Sequence, residues 1–226
     1  MVTIEIKNLT KIFPHPLNQK IKLPILSSLS AKFTSSKLNF VTGESGSGKS
    51  TLFNIIKGQI TYDAGEIFIN NQSLNLLSSK EQNLVRRNII YMNQKVNFNI
   101  DYNLSIYENL KFNILLRNKL VDKRKIDELI NTTLHLFHFD LNKQIHFLSG
   151  GELQKLSFIK SLVTNPKILL LDEPFSNLDL EESDAFCENL RHLIREKEIL
   201  ILISSHNTRL IRKDDCNFIL SKNLMY

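Results

Sequence analysis

Glycine is scarce in this chain, 7 in 226 residues, where ordinary usage predicts about 16. Even so, Gly43, Gly46, Gly48, Gly150 and Gly151 fall in two short clusters. Scarcity with clustering marks places where the backbone must come close to something. The first cluster, Gly43-Glu44-Ser45-Gly46-Ser47-Gly48-Lys49-Ser50, fits the G-x-x-x-x-G-K-[ST] pattern of a phosphate-binding loop. It follows Leu38-Asn39-Phe40-Val41, an apolar run that reads as a buried strand. Downstream, Ser50 to Lys57 has helical apolar spacing and stops at Gly58. A strand, a glycine-rich turn and a helix N-terminus in that order offer an anion both backbone N–H groups and a partial positive charge. The combination predicts a nucleoside triphosphate site, with Lys49 on the β- and γ-phosphates and Ser50 on Mg²⁺.

Composition narrows the class without adding chemistry. With 42% apolar and 23% charged residues, the chain is an ordinary folded protein, long enough for one sizeable core or two closely packed lobes. No stretch reaches the roughly 18 uninterrupted apolar residues of a membrane span. The N-terminal Met1 to Lys7 alternates like a strand and carries no basic-then-apolar signal, so a cytosolic location is expected. Cys187 and Cys216 are two lone thiols without the spacing of a disulfide framework or a metal site. The net charge of +6 is scattered, and short groups such as Arg86-Arg87, Lys123-Arg124-Lys125 and Arg212-Lys213 read as solvated faces, the last answered by Asp214-Asp215. Nucleic acid is not expected as a partner.

No fixed-period repeat or low-complexity linker divides the chain, which predicts one composite unit. Thr3 to Lys7, Leu29 to Thr34 and Glu66 to Asn70 read as strands, with Pro14, Pro16 and Pro24 keeping the segment between the first two extended. From 105 to 163 the pattern is helical: Ile106, Leu110, Ile114 and Leu115 share one face, and Ile126, Leu129, Ile130, Leu134 and Phe137 another. From 168 onward strand and helix alternate: Ile168 to Leu171, a helix from about 180 to 195, Ile199 to Ile203, a short helix, then Phe218 to Leu220. Such alternation implies a parallel sheet flanked by helices.

The second glycine cluster, Leu148-Ser149-Gly150-Gly151-Glu152-Leu153-Gln154, opens an amphipathic helix that Ser149 is placed to cap. Two unobstructed amides, a hydroxyl and a helix N-terminus make a second phosphate-seeking surface. In this company the chain resembles the ABC-transporter ATPase family along its whole length. Leu148 to Gln154 is similar to the signature motif, and Ile168-Leu169-Leu170-Leu171-Asp172-Glu173-Pro174 to the Walker B strand and its catalytic glutamate. Ser176-Asn177-Leu178-Asp179 resembles the D-loop, Gln94 after Ile89 to Asn93 the Q-loop, and His206 after Ile201 to Ser205 the switch histidine, all in the family's order. Phe13, 30 residues before Gly43 (43 − 13), stands where the family's adenine-stacking aromatic would.

The resemblance implies an α/β P-loop NTPase: a parallel-sheet core, an antiparallel β subdomain and an inserted helical subdomain at about 97–160, all within a single domain 1–226. It implies that Gly43, Glu44, Ser45, Gly46, Ser47, Gly48, Lys49, Ser50 and Thr51 hold the ATP phosphates and that Phe13 holds the base. Ser50, Gln94 and Asp172 would serve Mg²⁺, while Glu173, His206 and Gln94 would carry hydrolysis. Ser149, Gly150, Gly151, Glu152 and Asp179 would complete the ATP site of a second ATPase subunit in a two-fold dimer, alike or unlike. Asp172 and His206 each follow a buried strand, at the sheet edge where open α/β folds bind ligands.

Leu76 to Gln94 and Leu104 to Leu110 resemble the lipoprotein-release and macrolide-exporter type. The chain ends 20 residues after His206 (226 − 206), too few for the regulatory domain of many import ATPases. Ser36-Lys37 replaces the usual Gly-Glu before the loop strand, and Asn207 the usual Asp after the histidine; neither removes a phosphate ligand. The expected role is an ATP-hydrolysing subunit on the inner face of the cell membrane, powering a separate polytopic subunit that exports or extracts a peptide, lipid or lipoprotein-like substrate. Heptads, a zinc-binding cysteine set or a second cassette would mark a non-transport relative, and the sequence has none.

Overall fold

The computed structural model describes residues 1–93 and 100–222, and the chain forms two compact units. The first comprises Met1–Tyr91, Lys167–Glu173 and Leu190–Tyr226; the second, Met92–Pro166 and Pro174–Asn189.

In the first unit, β1 (Thr3–His15), β2 (Asn18–Thr34), β4 (Ala64–Ile69) and β5 (Gln72–Ser73) form an antiparallel sheet of order β2-β1-β4-β5. The alternating burial of β1 places Ile4, Ile6 and Leu9 in the core and leaves Lys7 and Asn8 to solvent. The Pro-containing segment is a correction to the sequence expectation. It does not merely run extended between two short strands but pairs with itself, Ile12 opposite Pro24 and Pro14 opposite Lys22, in one long hairpin turning at Pro16-Leu17. Proline is accommodated because β2 is an edge strand and β1 has already left β4, whose last pair with it is Thr10 and Ala64.

A second sheet, of order β6-β7-β8-β3-β9, contains β3 (Asn39–Thr42), β6 (Ile89–Met92), β7 (Ile168–Asp172), β8 (Leu200–Ser205) and β9 (Cys216–Ile219). The pairs β3–β8, β3–β9 and β7–β8 are parallel. Every residue of β3, β7 and β8 is buried, as near-continuous apolar runs require when both faces of a sheet are covered. Helix α1 (Lys49–Lys57) contributes Leu52, Phe53, Ile55 and Ile56 to the core that also holds Ile4, Phe33, Leu170 and Leu202. Between α1 and β6, α2 (Ser79–Arg87) opens on a Ser78–Glu81 capping box.

The short helix expected before β9 is absent: residues 206–215 form turns. The Asn207 side chain accepts from Arg209 N at 3.0 Å and Asp215 Oδ2 from Arg212 N at 2.9 Å, so local side chains satisfy the amides a helix would have used. Asp215 also pairs with the distant Arg191. The Arg191 guanidinium donates to both carboxylate oxygens, at 3.2 and 2.6 Å, and to Leu210 O at 2.8 Å. Both side chains are buried, 8% and 4% exposed, so removing one partner strands a charge. Asp215→Ala is expected to destabilise the protein by about 3–5 kcal/mol, read from the midpoint of urea unfolding.

The second unit contains α3 (Ile106–Arg117), α4 (Lys123–Leu136), α5 (Gly150–Leu162) and the first ten residues of α6 (Leu180–Glu196), with a short 3₁₀ turn at Ile145–Phe147. Ser105–Glu108 and Ser149–Glu152 capping boxes start α3 and α5. Helix α5 is not amphipathic as expected. It buries Gln154, Ser157 and Ser161 along with Leu156, Phe158, Ile159 and Leu162, because α3, α4 and the aromatic cluster of Phe137, Phe158 and Phe186 surround it. Part of this buried polarity is satisfied: Ser161 Oγ donates to Ser157 O at 3.0 Å and the Gln154 amide N–H to Pro174 O, while Gln154 Oε1 and Ser157 Oγ have no hydrogen-bond partner among the described residues.

Candidate functional site

The phosphate-loop residues connect β3 to α1 and behave as the composition demands. A Cβ on Gly43 would lie 2.2 Å from the Leu220 carbonyl oxygen, so only glycine lets β3 turn beside the chain leaving β9. Gly48, at φ 102, is the N-cap of α1, and a Cβ there would lie 2.9 Å from Ile25 Cγ2. This cap has no side-chain hydrogen bond, which leaves the first amides of α1 facing outward for an anion. Lys49 Nζ is nearly buried and donates to Gly43 O at 2.8 Å and Glu44 O at 3.0 Å. Ser47 Oγ is buried with no hydrogen-bond partner, an orphan that a phosphate oxygen would satisfy. Glu44, Ser45, Gly46 and Ser50 are exposed and Thr51 is half-buried, so the cradle is open on its solvent side.

At the C-terminal edge of the same sheet, Asp172 is the last residue of β7 and pairs with Ser204 of β8. Its carboxylate accepts from Tyr91 Oη at 2.9 Å and from Ser204 Oγ. Burial, followed by the neighbouring Asp172 charge, raises the Tyr91 phenol well above its ordinary range, which keeps it a neutral donor. Glu173 follows at φ 49, the left-handed region. A non-glycine residue held there stores on the order of 1–3 kcal/mol of strain, and such strain gathers at functional sites. Its carboxylate lies between two cationic or polar partners, Lys49 Nζ 3.9 Å from Oε1 and His206 Nδ1 2.9 Å from Oε2.

The structure therefore joins Lys49, Glu173 and His206 in one constellation, although they are separated by 124 (173 − 49) and 33 (206 − 173) positions in the chain. Gln94 lies outside the described residues. Asp172, with its hydroxyl neighbours, is the kind of oxygen donor that suits Mg²⁺, which holds few protein ligands. Among the described residues no group of three or more His, Cys, Asp or Glu forms a dedicated metal cage. Sequence reasoning missed Tyr91 and Ser204. The available signal was a hydroxyl in each of two otherwise apolar strands, Ile89-Ile90-Tyr91-Met92 and Ile201-Leu202-Ile203-Ser204.

Phe13 lies in the self-paired part of β1, opposite Leu23 on the hairpin whose Ile25 a Cβ on Gly48 would meet. Lys11 Nζ lies 5.0 Å from the ring centroid and 3.4 Å from the Asp63 carboxylate. Phe13 is half-buried, so part of the ring remains available to a base.

The second unit holds the other group. Ser149 Oγ accepts from Glu152 N at 3.2 Å, which leaves its own O–H to donate, and both Ser149 and Gly150 are exposed. A Cβ built on Gly150 would point into open space, whereas one on Gly151 would lie 3.1 Å from Leu178 of the Ser176-Asn177-Leu178-Asp179 turn. Glu152 spends its carboxylate locally: it binds Lys143 and accepts from Ser149 N, and these bonds hold it down at about 2. Asp179 caps α6, accepting from Glu182 N at 2.8 Å.

The sequence profile described as ABC transporter matches residues 26–176, two thirds of the chain and both glycine clusters. The chain belongs to the ABC transporter family. As a nucleotide-binding subunit of that family it binds and hydrolyses ATP. Three curated ABC relatives illustrate the breadth of the match. A tyrosine transport ATP-binding protein of Clostridioides difficile is 33% identical over 91% of this chain and 83% of its own length. The probable ABC transporter ATP-binding protein p29 of Mesomycoplasma hyorhinis is 32% identical over 99% and 89%. The lipoprotein-releasing system ATP-binding protein LolD of Wigglesworthia glossinidia brevipalpis is 31% identical over 100% and 97%. A bacterial ABC transporter cassette solved as a dimer superposes with a TM-score of 0.81 at 24% identity, covering 96% of this chain and 94% of its own. That likeness establishes the fold: an α/β P-loop NTPase with a parallel-sheet core, an antiparallel sheet and an inserted set of helices. No described helix of this ABC ATPase is long and apolar enough to cross a membrane.

Proposed function

We propose that this ABC ATPase powers the export or extraction of a peptide, lipid or lipoprotein-like substrate by a separate polytopic membrane subunit, on the inner face of the cell membrane. The Glu173 carboxylate, held between Lys49 and His206 on a strained backbone, is the observation that carries the catalytic part of the reading. Residues Gly43 to Thr51 hold the phosphates, with Lys49 as the point charge on the β- and γ-oxygens, and Phe13 supports the adenine. Ser50 and Asp172, with Gln94, would hold Mg²⁺, which when bound would supply charge neutralisation at the phosphates. Glu173 orients or deprotonates the attacking water, and His206 donates to the γ-phosphate.

The exposed Ser149 and Gly150 and the half-buried Gly151, with Glu152 ordering the turn and Asp179 on the neighbouring one, close the ATP site of a second ATPase subunit. The whole chain acts as one catalytic domain, its helical part at about 97–160. The lipoprotein-release type is supported by the motif resemblance and by the relative of that name matching along the whole chain, although other relatives are named for tyrosine, methionine and molybdate or tungstate transport.

Two measurements test this. Ser149→Arg is expected to retain ATP binding while losing nearly all hydrolysis and any ATP-dependent dimer in light scattering; full activity would remove the signature turn from the site. Affinity purification from membranes is expected to bring down a polytopic protein whose cargo is a peptide, lipid or lipoprotein. Recovery of an importer subunit instead would overturn the export reading.

A further inference from the structure

Two hydroxyls stand beside the Asp172-Glu173 pair with no role in the chemistry above. Ser204 is completely buried on β8, after the apolar run Leu200 to Ile203. A hydroxyl in such a place is unfavourable unless its bonds are made. They are made in both directions: Ser204 Oγ accepts from Glu173 N at 3.0 Å and donates to the Asp172 carboxylate. Glu173 N also donates to Ser204 O at 3.2 Å, so one residue receives this N–H twice. On the far side, Tyr91 Oη donates to the other Asp172 oxygen at 2.9 Å. All four residues belong to the first compact unit.

The arrangement is a single hydrogen-bonded chain from Tyr91 through Asp172 and Ser204 to the Glu173 backbone. Its end point is a glutamate whose φ of 49 is disfavoured for any residue with a Cβ. A strained conformation of this kind persists only when its surroundings over-determine it, and the Ser204 hydroxyl and carbonyl are what grip its amide. Asp172, with a neutral donor on each oxygen, cannot rotate without breaking one of the two bonds.

We propose that Ser204 is a positioning residue for ATP hydrolysis: its hydroxyl ties the Glu173 backbone to the Asp172 carboxylate, and Tyr91 anchors the other side of that carboxylate. The proposal rests on the reading of Glu173 as the group that orients or activates water. A residue that merely filled the core would, when altered, lower stability or nucleotide affinity. One that positions Glu173 lowers kcat while ATP still binds, and it lets the ATP-bound dimer accumulate because hydrolysis no longer disperses it.

The test uses the full chain with Ser204→Ala, Ser204→Thr, Tyr91→Phe and Glu173→Gln, comparing kcat, KM, Mg-ATP affinity by calorimetry, Tm, and the ATP-dependent dimer by light scattering. Ser204→Ala is expected to lose about 10–100-fold in kcat, the effect of one hydrogen bond in a charged network. Its Mg-ATP affinity should be unchanged and an ATP-dependent dimer should accumulate. Ser204→Thr keeps the hydroxyl and is expected to recover most of the rate. Tyr91→Phe keeps the ring and is expected to lower kcat at unchanged affinity.

A wild-type kcat in Ser204→Ala, or a loss in which affinity falls as much as rate, overturns the proposal. Should Ser204→Ala fail to fold, Tyr91→Phe decides, since a wild-type kcat there also overturns it. Wild-type hydrolysis by Glu173→Gln would instead overturn the underlying assignment of Glu173, a result separate from the Ser204 outcome.

Discussion

Glu173→Gln is expected to lower ATP hydrolysis by about 10²–10⁴-fold, the usual worth of general-base assistance. The substitution keeps the size of the side chain and one hydrogen-bonding oxygen, but it removes the charge that lies 3.9 Å from Lys49 Nζ and the acceptor that His206 engages at 2.9 Å. Nucleotide binding is expected to survive, because Lys49, the uncapped α1 N-terminus and the loop amides are untouched. With ATP bound and not consumed, the ligand stabilises whatever assembly it completes, so the variant is expected to shift from monomer to dimer in Mg-ATP. Size-exclusion chromatography with light scattering reads the shift. Combining Glu173→Gln with Ser149→Arg is expected to abolish that dimer, and a dimer that persisted would exclude the signature turn from the shared site.

Lys49→Ala has the second large effect. In the structure Nζ is anchored on the carbonyls of Gly43 and Glu44, and this geometry holds the ammonium inside the loop. A charge-assisted contact is worth about 1.5–3 kcal/mol, so losing contacts to two phosphates corresponds to about 10²–10⁴-fold in affinity. Calorimetry with Mg-ATP is expected to show binding reduced by that factor in a protein that still unfolds cooperatively, since no core residue is removed. Unchanged affinity would place the phosphates elsewhere. The loss also frees Glu173 from its cationic neighbour, so hydrolysis falls with binding rather than independently of it.

Much of this protein was legible in the order of its residues. The phosphate loop was readable because its chemistry is local: Gly43, Gly48 and Lys49 lie within one turn, and their backbone conformations follow from the absence of a Cβ. The Ser149 cap that opens α5 was readable for the same reason, as was the stop of α1 at Gly58, whose φ of 80 ends the helix. The buried strands Ile168–Asp172 and Leu200–Ser205 announced themselves as unbroken apolar runs.

What the sequence alone could not decide are relations between residues far apart in the chain. The hairpin of β1 and β2 depends on cross-strand pairing, which proline suggests only by exclusion. The burial of Gln154, Ser157 and Ser161 on α5 depends on which helices surround it, whereas its own spacing suggests a single apolar stripe. The buried ion pair of Arg191 with Asp215 joins residues 24 positions apart, a pairing that depends on how the chain folds back and not on proximity in sequence.

The same holds at the site. By sequence, Ser204 and Tyr91 are two hydroxyl residues in different strands. Only the parallel register that sets Asp172 opposite Ser204, and the placing of β6 beside β7, turns them into partners of one carboxylate. The sequence by itself determined where a glycine-rich turn opens a helix, since that is a property of short segments and their backbone. The tertiary structure decided which carboxylate oxygen meets which donor and which backbone is held in strain, because those depend on strand register across the folded sheet.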